Sequence, residues 1–359
     1  MKLKAIIPVG GRGTRMQPLT FSTNKHFIPL ANKLLIHYPI ETVVDAGIRD
    51  ILITYNPGQL ELVRDLLGDG RMFGAKFTYI LQEKPIGLAN IFQVCEHALE
   101  GSPFLLHLGD NIFTQGIKPY IKTFLKNKPN GLVTMVEHEH NNRMGVPYFD
   151  ELGNLVRYEE KPQNPPHKYA IPGLYFFDKN IFNCFKGKNA IKPSDRGELE
   201  ISAPYQWLID NGYTVRVVEY KGKWLDPGKF NDWIESNRYI LRKMILPHLD
   251  RELPSSVKVT GKIHVGQGSF ITDSEIVGPV IIGDNVVISN SYIGPHTSIY
   301  HDCQIINSTI EDSILMQGSK ILNVNRRIEN TMIGKECEIV GNGSKKTSLF
   351  VGDKSKIFI

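Results

Sequence analysis

Three clusters of residues in this chain have the types and spacing to do chemistry on phosphates. The first is Gly10-Gly11-Arg12-Gly13-Thr14-Arg15, directly after the apolar run Ala5-Ile6-Ile7. Glycines in a turn after a first strand let backbone N–H groups approach phosphate oxygens without side-chain obstruction. Arg15 adds a planar fork of donors suited to phosphate. Lys25, shortly beyond and close to Pro29, can reach back to the same oxygens. The loop is not a Walker A motif, because no Gly-Lys-Ser/Thr ends it. It is not a dinucleotide fingerprint either, because Met16 stands where the third glycine belongs and no acidic residue ends the apolar run 51–55. The second cluster is Gln82-Glu83-Lys84-Pro85-Ile86-Gly87, where the Gln82 amide can donate and accept at once, as pairing with a pyrimidine edge requires. The third is Phe104-Leu105-Leu106-His107-Leu108-Gly109-Asp110, an apolar strand ending in a carboxylate. Ligands of open α/β sheets sit at the carboxyl ends of strands, so Asp110 is placed to hold Mg²⁺.

These residues need a scaffold, and the apolar patterning supplies one. Strands are expected over 3–9, 51–55, 76–81 and 104–108, separated by helices over 34–46, 59–67 and 88–99. This alternation predicts a Rossmann-like α/β fold with a mixed, mostly parallel sheet. Past residue 257 helical patterning stops. Ile276, Ile293 and Ile310 recur every 17 residues, as do Ile282 with Ile299 and Ile288 with Ile305. Within each interval the step is close to six, the period of a parallel β-helix with three short strands per coil. The expected organisation is a catalytic domain over 1–240, a connecting helix and linker over 241–256 with the helical pattern running from 232 to 249, and a left-handed β-helix over 257–359.

Composition narrows the partners. The chain has 359 residues, 41% of them hydrophobic and 22% charged, with a net charge of +5 spread without a basic run. That suits small anionic substrates and argues against nucleic acid. The four cysteines fit neither a disulfide framework nor a zinc template, so they are expected to be reduced, in a cytoplasmic protein. No apolar run has the length of a membrane span.

The segment from Gly10 to Thr20, followed by Asn24-Lys25 and Pro29, closely resembles the signature of the sugar nucleotidylyltransferases. The resemblance runs along nearly the whole chain, and its β-helix tail is similar to that of the long glucose-1-phosphate thymidylyltransferases. It implies Mg²⁺-dependent transfer of a nucleotidyl group to a sugar 1-phosphate, with dTTP and glucose 1-phosphate as the leading pair and UTP as the alternative nucleotide. The implied nucleotide contacts are Gly10, Gly11, Gly13, Thr14, Arg15, Gln82, Pro85 and Gly87. Lys25 would assist pyrophosphate departure, and Asp226 in Trp224-Leu225-Asp226-Pro227-Gly228 would be the second metal ligand beside Asp110. Residues 159–162, which alone read as a solvated charge cluster, match the family's sugar-binding motif. Glu160 then holds the sugar and Lys161 its phosphate, with Gly145, Ile171, Gly173 and Arg196 completing that pocket. Two further readings stand beside this one. A bifunctional uridylyltransferase–acetyltransferase would need more coils. A non-catalytic, nucleotide-sugar-binding subunit would not keep Arg15, Lys25, Asp110, Lys161 and Asp226 together. The β-helix is expected to mediate homo-oligomer formation, because open coil ends need capping.

Overall fold

The structure is a computed structural model that describes residues 2–11, 13–21, 23–249 and 252–341, and the backbone of 356–358. Its contacts divide the chain into two units. The described residues of 1–11 and 36–225 form the first, and those of 12–35 and 226–359 the second.

The first unit is built on an eight-stranded sheet. In spatial order its main path runs Tyr169–Ala170, Gly131–Glu137, Leu174–Phe177, Phe104–His107, Lys4–Pro8, Asp50–Tyr55 and Lys76–Leu81, with Val215–Glu219 also paired to Gly131–Glu137. Lys4–Pro8 pairs parallel with both neighbours. Ala5, Ile6, Ile7, Phe104, Leu105 and Leu106 are all fully buried, as unbroken apolar runs demand in strands covered on both faces. The expected strand over 76–81 forms with those bounds. Leu174–Phe177 runs antiparallel to both its neighbours, so the sheet is mixed.

Five helices belong to this unit: α1 (His37–Asp45), α2 (Leu60–Leu67), α3 (Asn90–Leu99), α4 (Lys118–Asn127) and α5 (Ser202–Asp210). Connections through α1 and α2 step away from the first strand in one direction, and α3 carries the chain back to its other side. Right-handed crossovers in opposite directions put helices on opposite faces. Ile6, Leu52 and Leu106 share one core with Phe92 and Cys95 of α3 and with Tyr205 and Leu208 of α5.

In the second unit, the helix read over 232–249 is shorter than expected. It forms as α6 (Phe230–Lys243) and stops before Pro247, which cannot continue a helix and disfavours helical backbone at the residue before it. His248–Leu249, inside the stretch read as helix and linker, is a strand paired parallel with His264–Val265. It opens one of three parallel sheets that form the left-handed β-helix. The three expected columns are those sheets' inward faces. Ile276, Ile293 and Ile310 pair in sequence on one, Ile282 and Ile299 on another, Ile288 and Ile305 on the third, and all are fully buried. Each such side chain contributes on the order of 2 kcal/mol. The corners need left-handed backbone, which Asp273, Asn290, Asn307 and Asn323 supply with φ between 45° and 55°. Inward serines tie the coils together: Ser291 N–H donates to Ser274 Oγ at 3.1 Å, and Ser308 N–H to Ser291 Oγ at 3.2 Å.

The same unit contains a small hairpin, Pro29–Leu30 paired antiparallel with Lys33–Leu34. Residue 34, expected to open a helix, therefore lies in a strand, and α1 starts at His37. Among the described residues no helix is long and apolar enough to cross a membrane.

Candidate active site

The centre of the first unit's sheet is a point where the chain reverses its direction of winding. Lys4–Pro8 and Phe104–His107 lie side by side and parallel, with Lys4 opposite Phe104 and Ile6 opposite Leu106. Both therefore leave the sheet at the same edge, one into Gly10-Gly11 and the other into Gly109-Asp110. Crevices at such switch points bind ligands in open α/β sheets. Gly10 has no room for a side chain: a Cβ there would lie 2.6 Å from Asn56 Oδ1, and the Asn56 amide donates to the Gly10 carbonyl.

Asp110 is held by a residue that sequence reasoning passed over. Asn111 Nδ2 donates to Asp110 Oδ1 at 2.9 Å, while Asn111 Oδ1 accepts from Gly173 N–H at 3.2 Å and from Trp224 Nε1–H at 2.9 Å. Asn111 is 3% exposed, and its amide fixes the carboxylate's orientation. Its place directly after Asp110 was the available signal. Gly173 owes its identity to the same group, since a Cβ there would lie 2.6 Å from Asn111 Oδ1. Trp224–Leu225 pairs antiparallel with Ile112–Phe113, and the chain enters the second unit at the next residue, Asp226.

His107, at the end of the same strand, is fully buried, with Nδ1 2.9 Å from the Leu108 carbonyl. Burial pushes its pKa down to about 4. An unfolded histidine titrates near 6.5, so between about pH 4 and 6.5 the unfolded chain binds the extra proton. Stability from this group is complete above that window and is lost as pH falls through it. The expected loss between pH 7 and pH 5 is about 2 kcal/mol. Urea unfolding at the two pH values should show it, and His107→Gln should remove that share of the pH dependence. An unchanged pH dependence in the variant would assign it to other groups.

The second cluster folds around a backbone contact. Gln82 is buried, and its Nε2 donates to Asn90 Oδ1 at 3.0 Å, with the Gly87 carbonyl at 3.4 Å. Pro85 is exposed on the turn between them. Gly87 has φ 113°, and a Cβ there would lie 2.4 Å from the Leu199 carbonyl oxygen and 2.6 Å from its nitrogen. The family resemblance implies that this glycine is a nucleotide contact. Its missing side chain makes room for the backbone of residue 199, which bonds to the chain on both sides: Leu199 N–H to Ile86 O at 2.7 Å and Ala89 N–H to Leu199 O at 3.0 Å.

The residues read as sugar-phosphate contacts fall together in this unit. Gly145 opposes Glu160 in an antiparallel pair, and its carbonyl accepts from Ile171 N–H at 2.8 Å. A Cβ on Gly145 would lie 2.3 Å from the Tyr158 ring. Lys161 leaves the strand with φ 53° and lies 3.8 Å from Glu160 through its ammonium group. Burial raises the Glu160 carboxyl above its ordinary pKa, helped by Glu200 and opposed by Lys161 and Arg196. Arg196 Nη2 and Ser194 Oγ both donate to Glu200 Oε1, at 2.7 and 2.9 Å. Lys161 and Arg196 themselves are exposed.

The second unit carries the rest of the signature. Gly13, with φ 59°, caps the short 3₁₀ turn Thr14–Met16, and its carbonyl accepts from Thr20 Oγ1 at 2.8 Å. A Cβ at Gly13 would meet Thr20 at 2.9 Å and the Lys25 Cβ at 3.0 Å, so the glycine lets the lysine's segment close in. Thr14 and Arg15 are exposed. Lys25 is 7% exposed, and its Nζ lies 3.8 Å from Asp226 Oδ1. Asn24 caps its turn by accepting from His26 N–H at 3.0 Å. The glycine turn, arginine, lysine and Asp226 thus lie in one unit, while Gly10, Gly11, Asp110, the Gln82 cluster and the Glu160 cluster lie in the other.

The family described as nucleotidyl transferase matches residues 4–243, two thirds of the chain and every candidate site residue named above. The chain belongs to the nucleotidyl transferase family. Its relatives extend past that family's span. It is 36% identical over 360 residues to the glucose-1-phosphate thymidylyltransferase of Streptomyces antibioticus, covering 99% of each chain. To the enzyme of that name from Streptomyces griseus it is 34% identical over 356 residues, again covering 99% of both. A crystal structure from Bacillus anthracis, described as a glucose-1-phosphate thymidylyltransferase with a sucrose, superposes with a TM-score of 0.63 at 32% identity, over 69% of this chain and 98% of that one. As a nucleotidyl transferase, the chain acts on a nucleoside triphosphate and a sugar 1-phosphate.

Proposed function

We propose that the chain transfers a thymidylyl group from dTTP to glucose 1-phosphate, giving dTDP-glucose and pyrophosphate. The observation that carries this reading is the whole-length likeness, β-helix included, to two glucose-1-phosphate thymidylyltransferases. In the reaction a phosphate oxygen of the sugar attacks the α-phosphorus of the triphosphate in line. The bond from that phosphorus to the pyrophosphate oxygen breaks, and the pyrophosphate leaves with the electron pair. The attacking oxygen is already anionic, so no general base is required.

The chain's own part is positioning and charge neutralisation. Gly10, Gly11, Gly13 and Thr14 offer backbone N–H groups to the triphosphate. Arg15 and Lys25 take up the charge of the departing pyrophosphate. Gln82, Pro85 and Gly87 form the base pocket. Lys161 and Arg196 hold the incoming phosphate, and Glu160, Gly145, Ile171 and Gly173 hold the sugar. Supporting this assignment, Lys161 and Arg196 are exposed beside a half-buried Glu160.

Asp110 and Asp226 are assigned to Mg²⁺. Among the described residues there is no group of three or more His, Cys, Asp or Glu side chains able to cage a metal. Mg²⁺ is commonly held by one or two carboxylates with substrate phosphates and water as its other ligands. The hard oxygen donors of two aspartates, one of them oriented by Asn111, suit that ion. When bound, it supplies charge stabilisation to the phosphates.

The test is pyrophosphate release with Mg²⁺ and glucose 1-phosphate against dTTP, UTP, ATP, GTP and CTP separately. Release is expected to be fastest with dTTP, with UTP the nearest competitor. Release with a purine nucleotide alone, or with none of the five, would overturn the substrate assignment.

A further inference from the structure

The hairpin that follows Lys25 ends in a turn that its sequence does not favour. Ala31 and Asn32 both have left-handed backbone, with φ 47° and 58°. A two-residue turn of this kind is usually filled by Asn-Gly, and alanine rarely adopts such a φ. Partners distant in sequence hold it in place. Ala31 N–H donates to Asn237 Oδ1 at 3.0 Å, Asn32 Nδ2 donates to the Ile299 carbonyl at 2.6 Å, and the Pro29 carbonyl accepts from Trp233 Nε1–H at 3.2 Å.

Asn237 is the junction of this arrangement. It is 1% exposed and lies on the buried stripe of α6 with Trp233, Ile234, Ile240 and Leu241. Its Oδ1 also accepts from the Ser298 hydroxyl at 2.7 Å, and its Nδ2 donates to the His296 carbonyl at 2.9 Å. One amide therefore bonds the hairpin tip on one side and a β-helix corner on the other. The path from that tip back to Lys25 is short and hydrogen-bonded throughout: Ile28 N–H donates to the Lys25 carbonyl and Leu35 N–H to the Ile28 carbonyl, both at 3.1 Å. The base of the hairpin is thus tied to the Lys25 backbone.

We propose that Asn237 is a positioning residue for the transfer reaction, through which the β-helix sets the placement of the phosphate-binding segment. The inference rests on the reading of Gly13 to Lys25 as that segment. No other amide-sized side chain reproduces the pattern. Aspartate would set an oxygen against the His296 carbonyl, and leucine would leave the Ala31 N–H without its acceptor.

The test uses full-length Asn237→Ala and Asn32→Ala, with Arg15→Ala in parallel, in steady-state assays with Mg²⁺. Loss of the bond to Ala31, the one of the amide's three that reaches the hairpin, is expected to raise KM for dTTP about tenfold in Asn237→Ala, with KM for glucose 1-phosphate within about twofold of wild type. Asn32→Ala, at a half-buried tip, should show the same split to a smaller degree and serves if the buried substitution prevents folding. A fall in kcat with both KM values unchanged, or no change in either variant, would overturn the inference and leave Asn237 an ordinary core contact. If Arg15→Ala raises KM for dTTP and neither asparagine variant does, only this inference falls. If Arg15→Ala leaves it unchanged, the reading of the phosphate-binding segment falls with it.

Discussion

Asp110→Asn is expected to lower kcat by about 100-fold or more, the cost of removing one charge-stabilising group from a site that works by electrostatics. The substitution is nearly isosteric. An asparagine oxygen at 110 can still accept from Asn111 Nδ2, so the network through Gly173 and Trp224 has no reason to break. What disappears is a negative charge at the carboxyl end of a central strand. The Mg²⁺ concentration for half-maximal activity should rise in parallel, because one hard anionic donor is lost. Measuring kcat across a Mg²⁺ titration separates the two effects. Turnover within about threefold of wild type at saturating metal would remove Asp110 from the reaction.

Gly87→Ala should be nearly as damaging, by a different route. The added methyl would lie 2.4 Å from a carbonyl oxygen and 2.6 Å from an amide nitrogen of Leu199, at a φ of 113° that alanine avoids. Neither obstacle is a side chain that could rotate away. Relief requires separating residues 86–89 from Leu199 and breaking the two backbone hydrogen bonds between them. The expected cost is about 3 kcal/mol or more, a fall in melting temperature of about 4 °C or more for a chain of this size. Activity should fall as well, since Leu199 precedes Glu200, the acceptor for Arg196. A thermal melt within about two degrees of wild type would mean that the chain there relaxes at little cost.

The sequence was most legible where a pattern repeats. Lys76–Leu81 was bounded correctly because alternating and β-branched residues end cleanly at Gln82. The three isoleucine columns were readable while the coils kept one length. Beyond them Ile305 pairs with Ile321 and Ile310 with Ile328, steps of 16 and 18 rather than 17, because a corner can lose or gain a residue without disturbing the inward column. A fixed period misses those coils.

Isolated polar residues were the hardest to read. The hairpin at 29–34 was absorbed into the helix that follows, since Leu34-Leu35-Ile36 continues its apolar run and the turn lacks glycine. Asn111 has only its place directly after Asp110 as a local signal of its role, and Asn237 has none. Their partners lie 62 and 206 residues away, and only the fold brings them together. That the backbone of Leu199 closes on Gly87 has no local signal either, because residue 199 is distant in sequence.

The second unit's discontinuity has a consequence for how the protein is made. Residues of the hairpin emerge from the ribosome first, and the Asn237 amide that holds Ala31 is encoded 206 residues later. At about 5–20 residues per second that interval is on the order of 10–40 seconds, whereas a hairpin closes within microseconds. Throughout that interval the turn at 31–32 is without the contact that holds its left-handed backbone. Under the proposed role of Gly13 to Lys25, that segment reaches its final setting only after α6 and the β-helix coil carrying Ser298 and Ile299 have left the exit tunnel. Competence for nucleotide binding then arrives late in the chain's birth, as an event of assembly rather than of local folding.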